Sequence, residues 1–168
     1  AKAKELGLWL LDTPVEYGGQ GLGLLGMVVV WEELARTIAM PPRGPLVFGP
    51  DVRPILFTLP EEQKQKYLLP VLRGEKVTAF AQSEPDAGAD PGSMRTTAVR
   101  QGDHYIINGY KRWITNAGRA DFFQLVAATD RAKGSRGGLS MFLVDADTPG
   151  VKVIRPVPTM MGDAPYEI

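Results

Sequence analysis

Residues 96–109 read TTAVRQGDHYIING, two short runs rich in Val, Ile, Thr and Tyr around the turn residues Gln101-Gly102-Asp103. Runs of this length and composition, bounded by Gly and Asp, are typical of β-strands joined by tight turns. Similar runs lie on either side, and no stretch between them is long enough for a useful helix. These runs are residues 77–82, 112–115, 122–129, 139–144 and 151–154. The region from residue 75 to residue 168 therefore favours an antiparallel sheet or barrel over a parallel βαβ sheet.

The first 74 residues follow a helical period instead, so a boundary near Gly74-Glu75 separates an α part from a β part. In the first helix, apolar residues recur every three or four positions, which is the spacing of one helix face. These residues are Leu24, Val28, Trp31, Ala35 and Ile38. Pro41-Pro42 should end this helix, and further prolines allow only short helical pieces between Pro45 and Phe57.

A second helix is predicted to begin after Thr58, which has the spacing of a capping box with Glu61 three residues later. Pro70 should kink this helix, and Gly74 should end it. The side of the helix that is expected to be buried carries Tyr67, Leu68, Val71 and Leu72.

The composition excludes several kinds of site. The chain has no cysteine, so disulfides, thiolate metal sites and cysteine nucleophiles are ruled out. His104 is the only histidine, which argues against a Ser-His-Asp triad or a multi-histidine metal site. Lys+Arg and Asp+Glu both total 19, so nothing indicates a nucleic-acid or anionic-membrane partner. The basic cluster Arg131, Lys133 and Arg136 is interpreted as a solvated loop.

Residues 21–26, GLGLLG, match the G-x-G-x-x-G pattern of turns that bind dinucleotides. The context does not support that interpretation, because no Asp or Glu lies about 20 residues further on and no second βα unit follows. We interpret the stretch as a glycine-rich loop that leads into a buried helix.

Two segments of the β part carry a specific resemblance to a known family. Residues 80–90, FAQSEPDAGAD, resemble the acyl-CoA dehydrogenase signature, an aromatic residue followed by x-x-Thr/Ser-Glu-Pro-x-Ala-Gly-Ser-Asp. Residues 108–117, NGYKRWITNA, are similar to the family's N-G-x-K-x-W-I-T-N-A, and the spacing between the two segments also matches. Shorter segments fit as well, namely PVEYGGQGLG at 14–23, EQKQKYL at 62–68 and FLVD with PGV within 142–151. The resemblance extends over almost the whole chain.

The resemblance implies a fold that agrees with the periodicity. The family has an α-helical N-terminal domain, a β middle domain and a C-terminal helical bundle. On this basis residues 1–74 are part of the first domain, residues 75–168 are an incomplete middle domain, and the third domain is absent. The expected fold class is α+β, an α-helical segment followed by an antiparallel β-barrel-like domain. Both ends of the chain look like cuts, so we expect a fragment.

The resemblance also implies a function, FAD-dependent oxidation of an acyl-CoA thioester to the 2,3-enoyl-CoA in fatty acid metabolism. A carboxylate takes the α-proton, and the β-hydrogen leaves as hydride to the flavin. In the family the base comes from the third domain, so we expect no catalytic residue in this chain, no activity alone and weak or absent retention of FAD. The expected partners are electron-transfer flavoprotein and further copies in a homodimer or homotetramer. No targeting signal is seen, so the expected compartment is a bacterial cytoplasm or the mitochondrial matrix.

The cofactor-binding residues are likewise implied by the resemblance. The strand from Phe80 to Ser83 should run along the isoalloxazine edge, where backbone groups and the Ser83 hydroxyl bond its polar rim. Trp113 should lie against the ring system and Thr115 should place its hydroxyl near N5 or O4. Gly88 should let the backbone approach the pyrophosphate. The full set is Phe80, Ala81, Gln82, Ser83, Gly88, Ala89, Trp113, Ile114 and Thr115, with Ala89 also expected to bind substrate.

Two residues depart from the family pattern. Gln82 replaces a small apolar residue, and Ala89 replaces a serine whose hydroxyl is expected near the pyrophosphate and the CoA arm, a loss worth about 1 kcal/mol. Glu84 is interpreted as a structural residue that holds its own loop rather than as a general base. Two alternatives to the dehydrogenase stay open, an acyl-CoA oxidase-type relative and a non-catalytic β module for ligand binding or assembly.

Overall fold

A computed structural model describes residues 2–36, 48–50, 52–160 and 164–168. The chain divides into two compact units, Ala1–Lys76 and Val77–Ile168. The first unit is helical and the second is built on a β-sheet, so the fold is α+β. Among the described residues, no helix is long and apolar enough to cross a membrane.

The helical unit contains α1 (Lys2–Glu5), α2 (Gly23–Ala35) and a composite helix over residues 61–73. Short 3₁₀ turns occur at Val15–Tyr17 and Pro54–Thr58. Helix α2 is the predicted first helix; its expected end at Pro41-Pro42, and Ile38, lie outside the described residues. The apolar face that was predicted to be buried is instead exposed in this chain, since Leu24 is 77% and Val28 is 48% accessible.

The predicted capping box at the start of the composite helix is wrong. The Thr58 hydroxyl donates to the Ile55 carbonyl oxygen at 2.8 Å, because Thr58 belongs to the preceding 3₁₀ turn. Pro60 is the residue that precedes the first helical turn, Glu61–Gln63, and makes no side-chain cap. The Glu61 carboxylate accepts a hydrogen bond from Gln65 at 2.7 Å.

The composite helix changes its hydrogen-bond register ahead of Pro70. It consists of an α turn (Glu61–Gln63), a π-helical segment (Lys64–Leu68) and an α segment (Leu69–Arg73). Pro70 follows the π-helical segment almost directly, as the second residue of the last α segment, so the change of register accommodates its missing N–H group. Gly74 ends the helix in a left-handed conformation at φ 77°, as predicted. The residues predicted to be buried are buried, namely Tyr67, Leu68, Val71 and Leu72.

The sheet of the second unit is organised around one central strand. Its strands are β1 (Thr78–Ala81), β2 (Thr97–Gln101), β3 (His104–Asn108), β4 (Phe122–Ala128) and β5 (Leu139–Asp145). Strand β4 pairs antiparallel with β5 along one edge, and β2 and β3 form an antiparallel hairpin. On its other edge β4 pairs parallel with β1, and its last residue pairs parallel with the start of β2.

The prediction of an antiparallel sheet is therefore wrong for β1 and β2 against β4. The chain leaves β1, makes the β2–β3 hairpin and returns beside β1 in the same direction, so the two strands that meet are parallel. A crossover connection of this length is what a parallel pair requires, and here it contains a hairpin rather than a helix. The only helical segments in the described part of this unit are 3₁₀ turns, at Pro91–Ser93, Ala117–Arg119 and Arg131–Lys133.

The sheet curls but stays open. The Tyr105 ring of β3 contacts the Phe142 ring of β5 with centroids 5.1 Å apart, although β2 and β4 lie between them in the sheet. Within the described residues no strand pairing joins β3 to β5, so the expected barrel is not closed. A cavity of about 670 Å³ lies on the inner face. Its apolar lining includes Ile107, Phe123, Leu125, Val144 and Val151.

Two predicted strands are absent as regular strands. Residues 112–115 contribute one isolated bridge, Ile114 to Tyr166, because Trp113 has a left-handed backbone. Residues 151–154 are irregular, and the short pair β6 (Arg155–Pro156) and β7 (Tyr166–Glu167) follows instead.

Candidate functional site

The first of the two family-like segments begins where β1 ends. Strand β1 stops at Ala81, and Gln82 and Ser83 carry the chain on to a tight turn. In that turn the Glu84 N–H donates to the Ala87 carbonyl at 2.8 Å, and the Ala87 N–H donates back to Glu84 at 3.3 Å. The turn redirects the chain into the loop that contains Gly88 and Ala89.

The two family-like segments lie side by side. The Arg112 N–H donates to the Ser83 carbonyl oxygen at 2.9 Å. Residues 80–84 and 111–115 are thus neighbours, as the sequence predicts. The prediction that Ser83 and Thr115 lie in strands, over Phe80–Ser83 and 112–115, is wrong, because Ser83 follows β1 and Thr115 lies in a turn.

A buried ion pair joins the segments beneath the surface. The Lys111 ammonium donates to the Gln82 carbonyl at 3.0 Å and to Glu84 Oε1 at 2.8 Å. The Lys111 and Glu84 side chains are only 2% and 3% exposed. Glu84 also accepts the N–H groups of Arg95 at 2.7 Å and Thr96 at 3.0 Å. Glu84 therefore holds the loop between residues 84 and 96, which agrees with the structural role predicted for it.

The charges of this pair are set by its burial and its hydrogen bonds. Burial opposes ionisation of Glu84, but the bonds from Lys111, Thr96 and Arg95 outweigh it and hold the pKa of the carboxyl below its ordinary value. Burial lowers the pKa of the Lys111 ammonium, and Glu84 offsets part of that effect. A carboxylate whose oxygens are occupied in this way is poorly suited to take a proton from a substrate.

Trp113 sits in a β-bulge. Lys111 and Ile168 exchange both backbone hydrogen bonds at 2.8 and 3.0 Å, and Ile114 and Tyr166 exchange both at 2.9 Å. Lys111 to Ile114 spans one residue more than Tyr166 to Ile168, so the first strand carries an extra residue. Trp113 has φ 64° and is 48% exposed. A bulky residue in the left-handed region is a strained conformation of a kind that clusters at functional sites.

A buried carboxylate fixes the surroundings of this bulge. Glu167 accepts two bonds from Arg155, Nε at 2.6 Å and a terminal nitrogen at 3.1 Å. Arg112 Nε lies 3.2 Å from the same carboxylate, and its guanidinium carbon is 4.5 Å from the Trp113 ring centre. The hydrogen bonds from Arg155 and then Tyr110 lower the pKa of Glu167. Glu167 is therefore charged in the folded chain at neutral pH.

The loop after Glu84 is exposed and is held by hydrogen bonds between its own residues. Gly88 and Ala89 are both exposed, and a methyl group added at Gly88 would meet no atom within 4 Å. The Asp90 carboxylate accepts the Gly92 N–H at 2.8 Å, and the Ser93 hydroxyl donates to the Asp86 carbonyl at 3.1 Å. The backbone at Gly88 is accordingly open to a ligand.

The remaining predicted residues differ in what they can offer. Ala81 and Ile114 are buried in the inner core with Ala79, Ala117 and Phe123, so they can present only backbone groups. Phe80 packs against the separate cluster of Ala87, Met94 and Val126. Gln82, Ser83 and Thr115 are half-buried, which leaves side-chain atoms at the surface. None of the nine predicted residues lines the inner cavity, so the candidate site is a surface distinct from it.

The sequence reasoning missed four residues around the site. They are Lys111, Arg112, Arg155 and Glu167. Lys111 stood inside the quoted motif, and a lysine at a fixed motif position was a signal that could have found it. Glu167 and Arg155 gave no local signal, because their partners are distant in sequence. Among the described residues no cluster of His, Cys, Asp and Glu could hold a metal ion.

Models of two domains match the chain. Residues 1–75 match the acyl-CoA dehydrogenase N-terminal domain, and residues 79–167 match the acyl-CoA dehydrogenase middle domain. The chain belongs to the acyl-CoA dehydrogenase family. Membership of this family supports FAD as the cofactor of the enzyme. It also accounts for the order of the two units along the chain.

Individual relatives agree with the family models. The chain is 42% identical over 151 residues to the short-chain specific acyl-CoA dehydrogenase, mitochondrial, of Homo sapiens, covering 87% of this chain and 35% of the relative. It is 39% identical over 157 residues to the caffeyl-CoA reductase-Etf complex subunit CarC of Acetobacterium woodii, covering 90% of this chain and 40% of the relative. The crystal structure of acyl-CoA dehydrogenase from Geobacillus kaustophilus matches with TM-score 0.74 and 32% identity, over 99% of this chain and 44% of that one. The chain thus spans well under half the length of these relatives.

Proposed function

We propose that the chain carries one wall of the FAD site of a flavin-dependent oxidoreductase that acts on the CH–CH bond next to an acyl-CoA thioester. The observation that carries the proposal is the exposed indole of Trp113, held in a strained bulge beside the Ser83 segment. A tryptophan that is left 48% exposed in a left-handed backbone conformation is better explained by a planar ligand than by packing. Family membership supports isoalloxazine as that ligand.

The residues that would hold FAD fall into two groups. At the isoalloxazine, the backbone of residues 80–83 and 113–115, the Ser83 and Thr115 hydroxyls and the Trp113 ring supply contacts. Near the pyrophosphate, the exposed Gly88 and Ala89 supply backbone N–H groups. The complete set is Phe80, Ala81, Gln82, Ser83, Gly88, Ala89, Trp113, Ile114 and Thr115, with Ala89 also near the CoA arm of the substrate.

When bound, FAD supplies the hydride acceptor for the carbon–carbon bond. The work of this chain is to bind and orient it. The buried pair Lys111–Glu84 fixes the Gln82 carbonyl and the loop to Thr96, so the backbone groups that face the cofactor are positioned before it arrives. Such preorganised groups cost no rearrangement when charge develops on the ring.

We place the catalytic base outside this chain. Glu84 is shut from solvent and saturated with hydrogen bonds, and Glu167 is held by Arg155 and Arg112. In this proposal residues 1–74 and 75–168 are parts of the N-terminal and middle domains of a longer enzyme that also has a C-terminal helical domain. The relatives support this view, since each is more than twice as long as the region that this chain matches.

The proposed electron acceptor is electron-transfer flavoprotein. A relative with 39% identity is named as the subunit of a reductase-Etf complex, which favours that acceptor over oxygen. We further propose a homodimer or homotetramer, located in a bacterial cytoplasm or a mitochondrial matrix.

The proposal is tested by titrating the chain with FAD and following flavin absorbance and tryptophan fluorescence. We expect weak, saturable binding that is lost in Trp113→Ala and kept in Arg136→Ala, a change in the exposed loop after β4. Saturated acyl-CoA thioesters with an artificial electron acceptor should give no turnover. Flavin binding that is unchanged by Trp113→Ala would contradict the placement of the flavin site at Trp113. Robust turnover would contradict the placement of the catalytic base outside this chain.

A further inference from the structure

We propose that Arg112 is a positioning residue for Trp113, with Glu167 as its anchor. The guanidinium covers one face of the indole and leaves the other face for a planar ring. This inference rests on the proposed function, because the ring that it serves is the isoalloxazine of FAD. Neither the motif nor the family match assigns a role to either residue.

The first step in the argument is that Trp113 needs support. The residue stands on a bulge at the surface and is 48% exposed, so packing alone does not select one side-chain rotamer. The guanidinium carbon of Arg112 lies 4.5 Å from the ring centre, within the range of an attractive cation–π contact. Beside this contact Trp113 remains 48% exposed, so part of the residue is open to a ligand.

The second step is that Arg112 is itself fixed. Its N–H is bound to the Ser83 carbonyl at 2.9 Å, and its Nε lies 3.2 Å from the Glu167 carboxylate, an ionic contact without hydrogen-bond geometry. The Arg112 side chain is 35% exposed, whereas that of Glu167 is 3% exposed. A long cation that is tied at both its backbone and its head has few rotamers left, so it can act as a rigid support.

The third step is that Glu167 is held from two directions. Arg155 binds it with two nitrogens at 2.6 and 3.1 Å. On either side of Glu167 in the sequence, Tyr166 and Ile168 pair with Ile114 and Lys111, the residues that flank the bulge. The strand that carries the anchor is thus the strand that shapes the bulge. The single segment 166–168 therefore fixes both the backbone conformation of Trp113 and, through Glu167 and Arg112, the position of its side chain.

The experiment uses the chain with Trp9→Phe and Trp31→Phe, so that Trp113 is the only tryptophan, and it excites tryptophan selectively over the five tyrosines. Arg112→Ala and Arg112→Lys are compared with Arg136→Ala as the matched arginine control. Without FAD, acrylamide quenching of Trp113 should rise in Arg112→Ala and stay unchanged in the control. With FAD, Arg112→Ala should weaken binding about two- to fivefold, the equivalent of one exposed cation–π contact. The FAD affinity of Arg112→Lys should lie between those of the parent chain and Arg112→Ala, because lysine keeps the charge and loses the planar group.

The outcomes separate the two proposals. Unchanged quenching and unchanged FAD affinity in Arg112→Ala overturn the positioning role and leave the flavin site intact. Altered quenching without any FAD binding by the parent chain overturns the flavin site and the stacking purpose together. Chemical unfolding of each variant shows whether the sheet is intact. If Arg112→Ala fails to fold, the Arg112→Lys variant is used to test the proposal. Quenching and FAD affinity in Arg112→Lys that equal those of the parent chain would then count against it.

Discussion

Lys111 and Glu84 form a 2.8 Å ion pair that is almost completely shut from solvent, and the same lysine also donates to the Gln82 carbonyl. The pair connects the two sequence segments that carry the family resemblance. Burying two charges is costly, and such a pair adds little net stability over apolar residues of the same volume. Its value here is geometric, because it fixes the backbone on which the proposed cofactor site is built.

Removing one member of the pair should be strongly destabilising. Lys111→Met leaves the Glu84 carboxylate buried with no cation, and we expect a loss of about 3 to 5 kcal/mol in the free energy of unfolding. Chemical denaturation followed by circular dichroism measures this. The matched control is Lys133→Met, since Lys133 pairs with Asp130 at 3.1 Å but its side chain is 64% exposed. That variant should behave as the parent chain; equal losses in the two variants would contradict the prediction.

The pair also predicts an acid dependence. The folded pKa of Glu84 lies below its ordinary value of 4.5, so the folded chain binds fewer protons there than the unfolded chain does. The contribution of the ionised Glu84 carboxylate to the free energy of unfolding is fully present above pH 4.5. It is lost as the pH falls through the folded pKa of Glu84. The free energy of unfolding between pH 7 and pH 3 should fall less steeply in Glu84→Gln than in the parent. Identical slopes would show that Glu84 titrates alike in both states.

Two glycines of the β unit should differ sharply in their tolerance of a methyl group. A Cβ at Gly109 would lie 2.1 Å from Thr96 Oγ1 and 2.5 Å from Thr96 Cβ, whereas one at Gly88 would meet nothing within 4 Å. Gly109→Ala should cost about 1 to 3 kcal/mol of unfolding free energy, as overpacking does. Gly88→Ala should change stability by no more than about 0.5 kcal/mol. If the backbone at Gly88 approaches the pyrophosphate, the same variant should weaken FAD binding, which a titration would detect.

The backbone strain at Trp113 should reverse the usual order of stability of alanine and glycine substitutions. At φ 64° glycine carries no steric penalty, whereas alanine carries one of about 1 to 2 kcal/mol. Trp113→Gly should therefore be more stable than Trp113→Ala, although glycine is the more flexible residue. At Tyr105, an exposed position in β3, the order should reverse, because glycine weakens a regular strand by about 0.5 to 1 kcal/mol. Unfolding curves of the four variants test this, and the same order at both positions would contradict it.

Much of the fold could be predicted from local pattern. Strands β1 to β5 fall inside or within one residue of the predicted runs, and the end of the composite helix at Gly74 was also correct. These features depend on neighbouring residues, such as alternating β-branched side chains or a glycine that accepts positive φ. The capping box failed at a point where the local signal was ambiguous, since Thr58 serves the preceding 3₁₀ turn.

By itself, the sequence determined the family, the division into a helical and a β unit, and the two segments around Ser83 and Trp113. The tertiary structure alone decided that β1 meets β4 in parallel, that Lys111 neutralises Glu84, and that Glu167 reaches Arg112 from the end of the chain. Periodicity and propensity act over a few residues, whereas strand order and buried charge pairing depend on which distant segments are brought together. A bulge such as the one at Trp113 exists only because its partner strand has one residue fewer, and that is a property of two segments rather than of either one.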